Sequence, residues 1–231
     1  MTRITSPVSL RAAASARPAS DEPQEVTLPD GTHLLLARLR PDDAPVLADA
    51  FARLSAESRR LRFLSSKPSL SQAELRYLTS VDGHDHEALA AIDPETRRGV
   101  AVARFVRDEH DPTRAEAAIT VTDEWQRRGL GKLLLERLSE RARAEGITHF
   151  TALVSTDNRG MQALVKHLGQ PVRVSRVAGG IFQYEIELGP SGLAAQLEAA
   201  LRAAAAGRLQ LPPRLWEVLR SVVPIHFGSR A

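Results

Sequence analysis

The spacing of apolar residues divides the chain into strand and helix segments. Val26–Leu28 and His33–Leu39 flank Asp30-Gly31, and a short Asp-Gly turn between apolar runs is typical of a β-hairpin. Apolar residues then recur three and four positions apart, which predicts three short helices. These helices are expected to begin near Pro41, Ser55 and Ser71.

Further along the chain the spacing of apolar residues becomes that of strands. After three strands, helix and strand segments alternate. In order, we expect strands at 88–92, 99–106 and 115–122, a helix at 129–145, a strand at 147–154, a helix at 158–168, and strands at 172–177 and 181–188. The near-continuous apolar run at 147–154 is typical of a strand buried on both faces. This order predicts an α+β fold with one β–α–β unit in its second half.

The two ends of the chain differ from this central domain, which we place at residues 26–188. Residues 1–25 are rich in arginine, serine and alanine at their start and contain no acid before residue 21. This composition predicts a disordered tail, although it can mimic a mitochondrial transit peptide. Residues 189–231 carry leucines four apart at Leu193, Leu197 and Leu201, which predicts a helical extension. Such an extension packs on its own domain or joins two copies as a homodimer.

Composition narrows the class of protein. The 231 residues are 43% apolar and 26% charged, with a net charge of +3 and basic residues interspersed with acids, so we expect no nucleic-acid partner. The absence of cysteine excludes disulfides, thiolate zinc sites and a cysteine nucleophile. No apolar run reaches the ~18 residues of a membrane helix. A cytoplasmic protein without a membrane partner is expected.

The segment most informative about chemistry joins the strand at 115–122 to the helix at 129–145. Its loop reads Gln126-Arg127-Arg128-Gly129-Leu130-Gly131, followed by Lys132. The glycines let the backbone turn tightly and approach a ligand, and the first helical turn offers free N–H groups. With the added basic side chains, the loop predicts a site for an anion such as a pyrophosphate.

Two common phosphate loops do not fit this segment. A kinase-type loop requires glycine where Gln126 stands and serine or threonine where Leu133 stands, and a dinucleotide loop requires a third glycine at Leu134. Without further residues, a plain turn at the start of a helix remains an equal alternative.

The loop resembles that of a known family. Gln126 to Gly131, after a strand, matches the (Gln/Arg)-x-x-Gly-x-(Gly/Ala) loop of the GNAT superfamily of N-acetyltransferases, and Asn158 opens the next helix as in that family. The resemblance covers about residues 34–188 and implies a mixed, largely antiparallel sheet flanked by helices. The phrases 58–63 and 75–79 look like bacterial GNAT domains that acetylate protein lysines.

The resemblance implies acetyl-CoA as co-substrate, without a metal. The amides of Gln126, Arg127, Arg128, Gly129, Leu130, Gly131 and Lys132 would hold the CoA pyrophosphate. The backbone of Val121 and Thr122 would pair with the pantetheine arm, and Asn158 would contact that arm from the other side. An ordinary role for Asn158 is to cap its helix, which asparagine does well.

Glu116 matches the glutamate often assigned as general base in the protein-lysine subgroup. Its alternatives are a solvated strand residue or an ion pair with Arg114. Many GNAT enzymes carry a tyrosine seven residues after the asparagine, as general acid, but Val165 stands at that place here. Whether a general acid exists is therefore open.

The resemblance implies transfer of an acetyl group to a primary amine, such as a protein lysine. Small-molecule amines, other acyl groups and a catalytically weak acyl-CoA-binding sensor remain alternatives. His84 and His86 are expected in a solvated loop without a metal, because they supply too few ligands. Arg59, Arg60 and Arg62 are expected on a solvated helix face, and Tyr184 is expected to pack against its neighbours.

Overall fold

The computed structural model describes residues 22–168 and 170–189. Within them the chain forms an eight-stranded sheet and five α-helices, which confirms the predicted α+β class. The predicted C-terminal extension, apart from residue 189, and the predicted tail before residue 22 lie outside the described residues. No helix in the described part of the chain is long and apolar enough to cross a membrane.

The elements follow the predicted order. The strands are β1 Gln24–Thr27, β2 His33–Arg38, β3 His86–Ile92, β4 Gly99–Arg107, β5 Arg114–Val121, β6 His149–Ser155, β7 Val172–Val177 and β8 Ile181–Glu187. The helices are α1 Ala44–Ala52, α2 Ala56–Phe63, α3 Gln72–Thr79, α4 Leu130–Ala144 and α5 Arg159–His167, with 3-10 turns at Pro41–Asp43 and Asp123–Trp125.

The order of strands across the sheet is β1-β2-β3-β4-β5-β6-β8-β7. All neighbours are antiparallel except β5 and β6, which are parallel and connected through α4. The predicted β–α–β unit is therefore confirmed, and it lies at the middle of the sheet.

Helices cover the two faces of this sheet. Helix α4 packs on β3, β4 and β5, and its buried leucines meet Phe105, Ala117 and Phe150 in the main core. Helices α1 and α2 lie on the opposite face, against β4 and β5. Alternation along β5 places Ala115 and Ala117 toward α4, and Glu116 on the face of α1 and α2.

Glu87 is the one charged side chain of β3 that is wholly enclosed. It is 0% exposed, and it accepts hydrogen bonds from Arg38 of β2 at 2.8 Å and from Arg141 of α4 at 3.1 Å. A buried charge must be compensated in this way, so the three residues join the first strands of the sheet to α4.

Two expectations need correction. Strand β1 begins at Gln24, not at Val26, because Gln24 and Glu25 pair with Leu36 and Leu35 across the hairpin. Strand β6 is not buried on both faces, since Leu153 is 47% exposed on the side that α4 does not cover.

Candidate active site

The central strands of the sheet separate along their length. Strands β5 and β6 pair only over Arg114–Glu116 and His149–Thr151, although β5 continues to Val121 and β6 to Ser155. Beyond Glu116 and Thr151 the two strands share no paired residues, so a cleft opens in the sheet. Glu116 lies at its closed end, and the loop at 122–129 follows its open end.

At the open end, the loop leads into a helix without a side-chain cap. Gly129 is the N-cap of α4, and no side chain accepts from the first turn. The N–H groups of Leu130, Gly131 and Lys132 therefore have no partner within the helix. Together with the positive end of the helix dipole, they have the geometry and charge that suit an anion.

Gly129 is required by geometry. Its φ is +86°, a left-handed value that side chains with a β-carbon rarely adopt, and an added Cβ would lie 3.2 Å from Cδ of Pro29. Gly131 is less constrained by the protein, because its Cβ would make ordinary contact with Leu164 at 3.6 Å. Gly131 thus leaves the helix N-terminus open toward solvent.

The structure gives Arg128 a role that differs from the predicted phosphate contact. Its Nε donates to Asp30 at 2.9 Å, one terminal nitrogen donates to Thr32 Oγ1 at 2.6 Å, and its guanidinium stacks on Trp125. Hydrogen bonds from Thr32 and then Arg128 lower the pKa of Asp30 to about 2, so this carboxylate is ionised at neutral pH. Arg128 anchors the loop to the β1–β2 turn.

The other polar side chains of the loop divide into two kinds. Gln126 donates from Nε2 to Ser58 Oγ and to the carbonyl of Val121, both at 3.2 Å, and so fixes the loop against α2. Lys132 is 53% exposed, with a weak contact of 3.9 Å to Glu136. Arg127 is exposed at a φ of +60°. Arg127 and Lys132 remain available to an anion.

Val121 and Thr122 direct their backbone groups to opposite sides. The Thr122 N–H donates to the Val100 carbonyl of β4 at 2.9 Å, so this group does not face the cleft. Alternation then directs the backbone of Val121 toward the cleft. The Val121 carbonyl already accepts from Gln126, so the Val121 N–H is the group of these two residues that can pair with an extended ligand arm.

Across the cleft, Asn158 caps α5. Its Oδ1 accepts from the Met161 N–H at 3.0 Å, the ordinary capping role. Val165, at the position where the family often has tyrosine, is 3% exposed in the core. Valine cannot donate a proton, so this position supplies no general acid.

Glu116 is an exposed carboxylate on β5. It lines a cavity of about 190 Å³ together with Thr151, Ala152, Leu153 and Gln183. Arg114 does not pair with it, because the Arg114 guanidinium contacts Glu185 of β8 at 2.7 Å. Glu116 is therefore not held in that alternative ion pair, and it faces the space beyond the cleft.

The expectation of a solvated arginine face is wrong for Arg62. Arg62 is partly buried and lines an apolar pocket between α1, α2, α3 and β4–β5, and its charge interacts with Glu116. Arg60 does lie on the surface, 44% exposed. Helix α2 packs against β5, and Arg62 lies on the side of the helix that lines this pocket.

Sequence reasoning missed Arg104, which lines the same pocket and is 6% exposed. The available signal was a charged residue interrupting the apolar strand Val100–Phe105. Arg104 donates to His86 Nε2, so His86, expected in a solvated loop, is instead a buried residue of β3. Tyr184 packs in the core as predicted, 7% exposed.

Comparison with known proteins identifies the family. Residues 53–170, more than half of the chain, match the model described as the acetyltransferase (GNAT) family. The chain belongs to the GNAT family. Membership confirms the resemblance drawn from the loop, and with it an acyltransferase as the class of enzyme.

Two bacterial relatives of this GNAT chain are named acetyltransferases. It is 35% identical to Acetyltransferase Pat of Mycolicibacterium smegmatis over 64% of this chain and 44% of that protein. It is 32% identical to Acetyltransferase PA5475 of Pseudomonas aeruginosa over 62% of this chain and 77% of that protein. The chain thus spans less than half of the first relative.

Solved structures of the family match the fold. The GNAT domain of S. lividans PAT superposes with a TM-score of 0.67 at 28% identity, covering 74% of this chain and 99% of that domain. The cAMP-binding acyltransferase from Mycobacterium smegmatis gives a TM-score of 0.53 at 28% identity, covering 87% of this chain and 54% of that one. These matches confirm the predicted GNAT-like sheet.

Proposed function

We propose that this chain is an acyl-CoA-dependent N-acetyltransferase that transfers an acetyl group from acetyl-CoA to a primary amine, with Glu116 as general base. The observation that carries the proposal is the cleft between β5 and β6. It leads from an uncapped helix N-terminus at Gly129 to an exposed carboxylate at Glu116. A thioester that carries an anionic group at its far end fits this arrangement.

The residues that would hold the co-substrate divide along the cleft. The amides of Gly129, Leu130, Gly131 and Lys132, with the Arg127 side chain, bind the pyrophosphate. The backbone of Val121 pairs with the pantetheine arm, which passes Asn158 on the other side. Gln126 and Arg128 act indirectly, because their side chains hold the loop in position.

The reaction is a direct displacement. The amine nitrogen attacks the thioester carbonyl, a C–N bond forms, and the C–S bond breaks to release CoA as a thiolate. Glu116 takes the proton that the amine loses, directly or through one water. Since Val165 cannot donate a proton, the thiolate leaves without an acid from α5 and is protonated by solvent.

The surroundings of Glu116 favour a lysine on a protein as the acceptor. Small-molecule sites usually enclose their ligand. The cavity beside Glu116 is instead bordered by the exposed strand residue Leu153, and Glu116 itself is exposed. A long side chain presented on a protein surface can reach such a carboxylate.

The cofactor site is tested by Gly131→Glu. An added Cβ at this position makes only ordinary contact with Leu164, so we expect a lower affinity to report the lost pyrophosphate site and not a misfolded loop. We expect the Kd for CoA, measured by calorimetry, to rise at least about tenfold, because the new carboxylate adds a charge beside the phosphates.

Arg137→Gln is the matched control for this variant. It makes the same change in net charge six residues further along the same helix, at an exposed side chain whose ion pair in the described part of the chain is with Glu140. Its Kd for CoA should equal that of the wild type. Unchanged affinity in Gly131→Glu would refute the assignment of the loop.

A further inference from the structure

Two guanidinium groups line one apolar pocket whose own lining contains no carboxylate. The pocket lies between the helices α1–α3 and the strands β4–β5, and most of its lining is apolar, including Phe51, Leu54, Phe63 and Val102. Its charged members are Arg62 and Arg104. In the described ranges 22–168 and 170–189, neither arginine forms an ion pair with an acid.

The contacts of Arg104 leave its charge uncompensated. Its guanidinium donates to the carbonyl of Leu78 at 3.3 Å and to His86 Nε2, and lies 5.7 Å from the Tyr77 ring centre. All three partners are neutral, since His86 accepts this hydrogen bond. Burial, followed by the nearby charge of Arg62, lowers the pKa of Arg104 to about 10.

Arg62 also lines this pocket, and its charge is only partly compensated. Its guanidinium stacks on Phe63 at 4.9 Å, and Glu116 is the acid whose charge it senses. Burial lowers the pKa of Arg62, and Glu116 only partly opposes this effect. Buried charges are costly unless paired, so two like charges in an apolar pocket indicate a site for an anion.

The position of the pocket indicates which ligand supplies the anion. Ala118 and Thr120 form part of its floor, and they belong to the strand whose edge borders the cleft. A group attached to the sulfur of CoA can enter here over the small side chain of Ala118. The cavity at Thr151 and Leu153 lies on the other side of Glu116 and remains for the acceptor.

The size of the pocket limits the length of that group. It encloses about 50 Å³, room for about four water-sized groups, so a fatty acyl chain does not fit. We propose that this pocket binds the acyl group of the co-substrate and that, among acyl groups longer than acetyl, it favours short chains that end in a carboxylate, held by Arg62 and Arg104. The transfer step is unchanged, and the terminal carboxylate takes no part in it.

This inference rests on the proposed function, and the test separates the two. Calorimetry with free CoA, acetyl-CoA, butyryl-CoA and succinyl-CoA needs no acceptor. The butyryl and succinyl groups have the same number of carbons and differ in the terminal carboxylate. We expect the wild type to bind succinyl-CoA about tenfold or more tightly than butyryl-CoA, because a carboxylate would pair with two guanidiniums.

Variants at the two arginines show whether they cause the preference. Arg62→Met and Arg104→Met should each reduce or abolish it while leaving the affinity for free CoA unchanged, which also shows that the variant is folded. Arg62→Lys should retain part of it, because a charge remains. Arg60→Met, an exposed change on the same helix, should retain all of it.

Equal binding of succinyl-CoA and butyryl-CoA by the wild type, with free CoA still bound, would overturn the acyl pocket and leave the proposed function standing. A preference that persists in both methionine variants would overturn it as well. If none of the four compounds binds, the proposed function and this inference both fail.

Discussion

At the scale of single residues, the proposed reaction depends on Glu116. We expect Glu116→Gln to lower kcat by about 10²–10⁴-fold, because the amide cannot take the proton of the amine. The affinity for acetyl-CoA should not change, since Glu116 lies beyond the residues that we propose to hold the CoA moiety. Steady-state kinetics with a responsive amine acceptor, together with calorimetry, measures both quantities.

Glu185→Gln is the control for this experiment. Glu185 lies on the neighbouring strand β8, but its carboxylate is bound to Arg114 at 2.7 Å. Its loss should leave kcat near the wild-type value. Equal losses of kcat in the two variants would mean that the loss of any carboxylate in this part of the sheet lowers kcat. Glu116 would then not be the base.

At this scale the sequence identified the residues of the loop, but it did not indicate which contacts each side chain makes. The glycines were identifiable because backbone freedom depends on the residue type itself. Arg128 looked like a phosphate ligand, yet it contacts Asp30, which is remote in sequence. Arg104 became visible only through its burial. A side chain's partner is set by the fold, and a local pattern cannot specify it.

At the scale of elements, the start of α4 depends on a contact with the β1–β2 turn. Gly31 and Gly129 both have φ near +85°, but only Gly129 has a neighbour within 4 Å of an added Cβ, the ring of Pro29. Alanine in this conformation costs about 1–2 kcal/mol. We therefore expect Gly31→Ala to lower the free energy of unfolding by about 1 kcal/mol.

Gly129→Ala should cost about 1–3 kcal/mol more than Gly31→Ala, because the methyl group adds a clash to the same strain. Urea denaturation of both variants gives the difference. A cost no greater than that of Gly31→Ala would mean that the turn moves freely and does not fix the loop.

The starts of α2 and α3 were predictable because capping residues mark them. Ser55 and Ser71 cap α2 and α3 as their sequence indicates. Strand β6 shows the opposite case. Its apolar run indicated burial on both faces, but burial is decided by which helices cover the sheet, and Leu153 stays exposed.

At the scale of the whole molecule, the order of elements predicted the class of fold, and the β–α–β unit predicted the parallel pair. The length over which β5 and β6 stay paired was not predictable, because both segments still have the residue pattern of a strand after the pairing ends. That separation forms the cleft. The periodicity gave no sign of it, and the family resemblance indicated only that a pantetheine arm would pass between Val121–Thr122 and Asn158.

The buried cluster at Glu87 connects the parts of the sheet that frame this site. Glu87→Gln should lower the free energy of unfolding by about 3 kcal/mol, because it leaves Arg38 and Arg141 without their shared carboxylate. Both arginines are partly exposed, at 22% and 27%, so water can relieve part of the cost. Glu136→Gln, on the surface of α4 at 52% exposure, should change stability by no more than about 0.5 kcal/mol. Urea denaturation measures both, and similar values for the two variants would show that the buried cluster adds nothing to the stability of the fold.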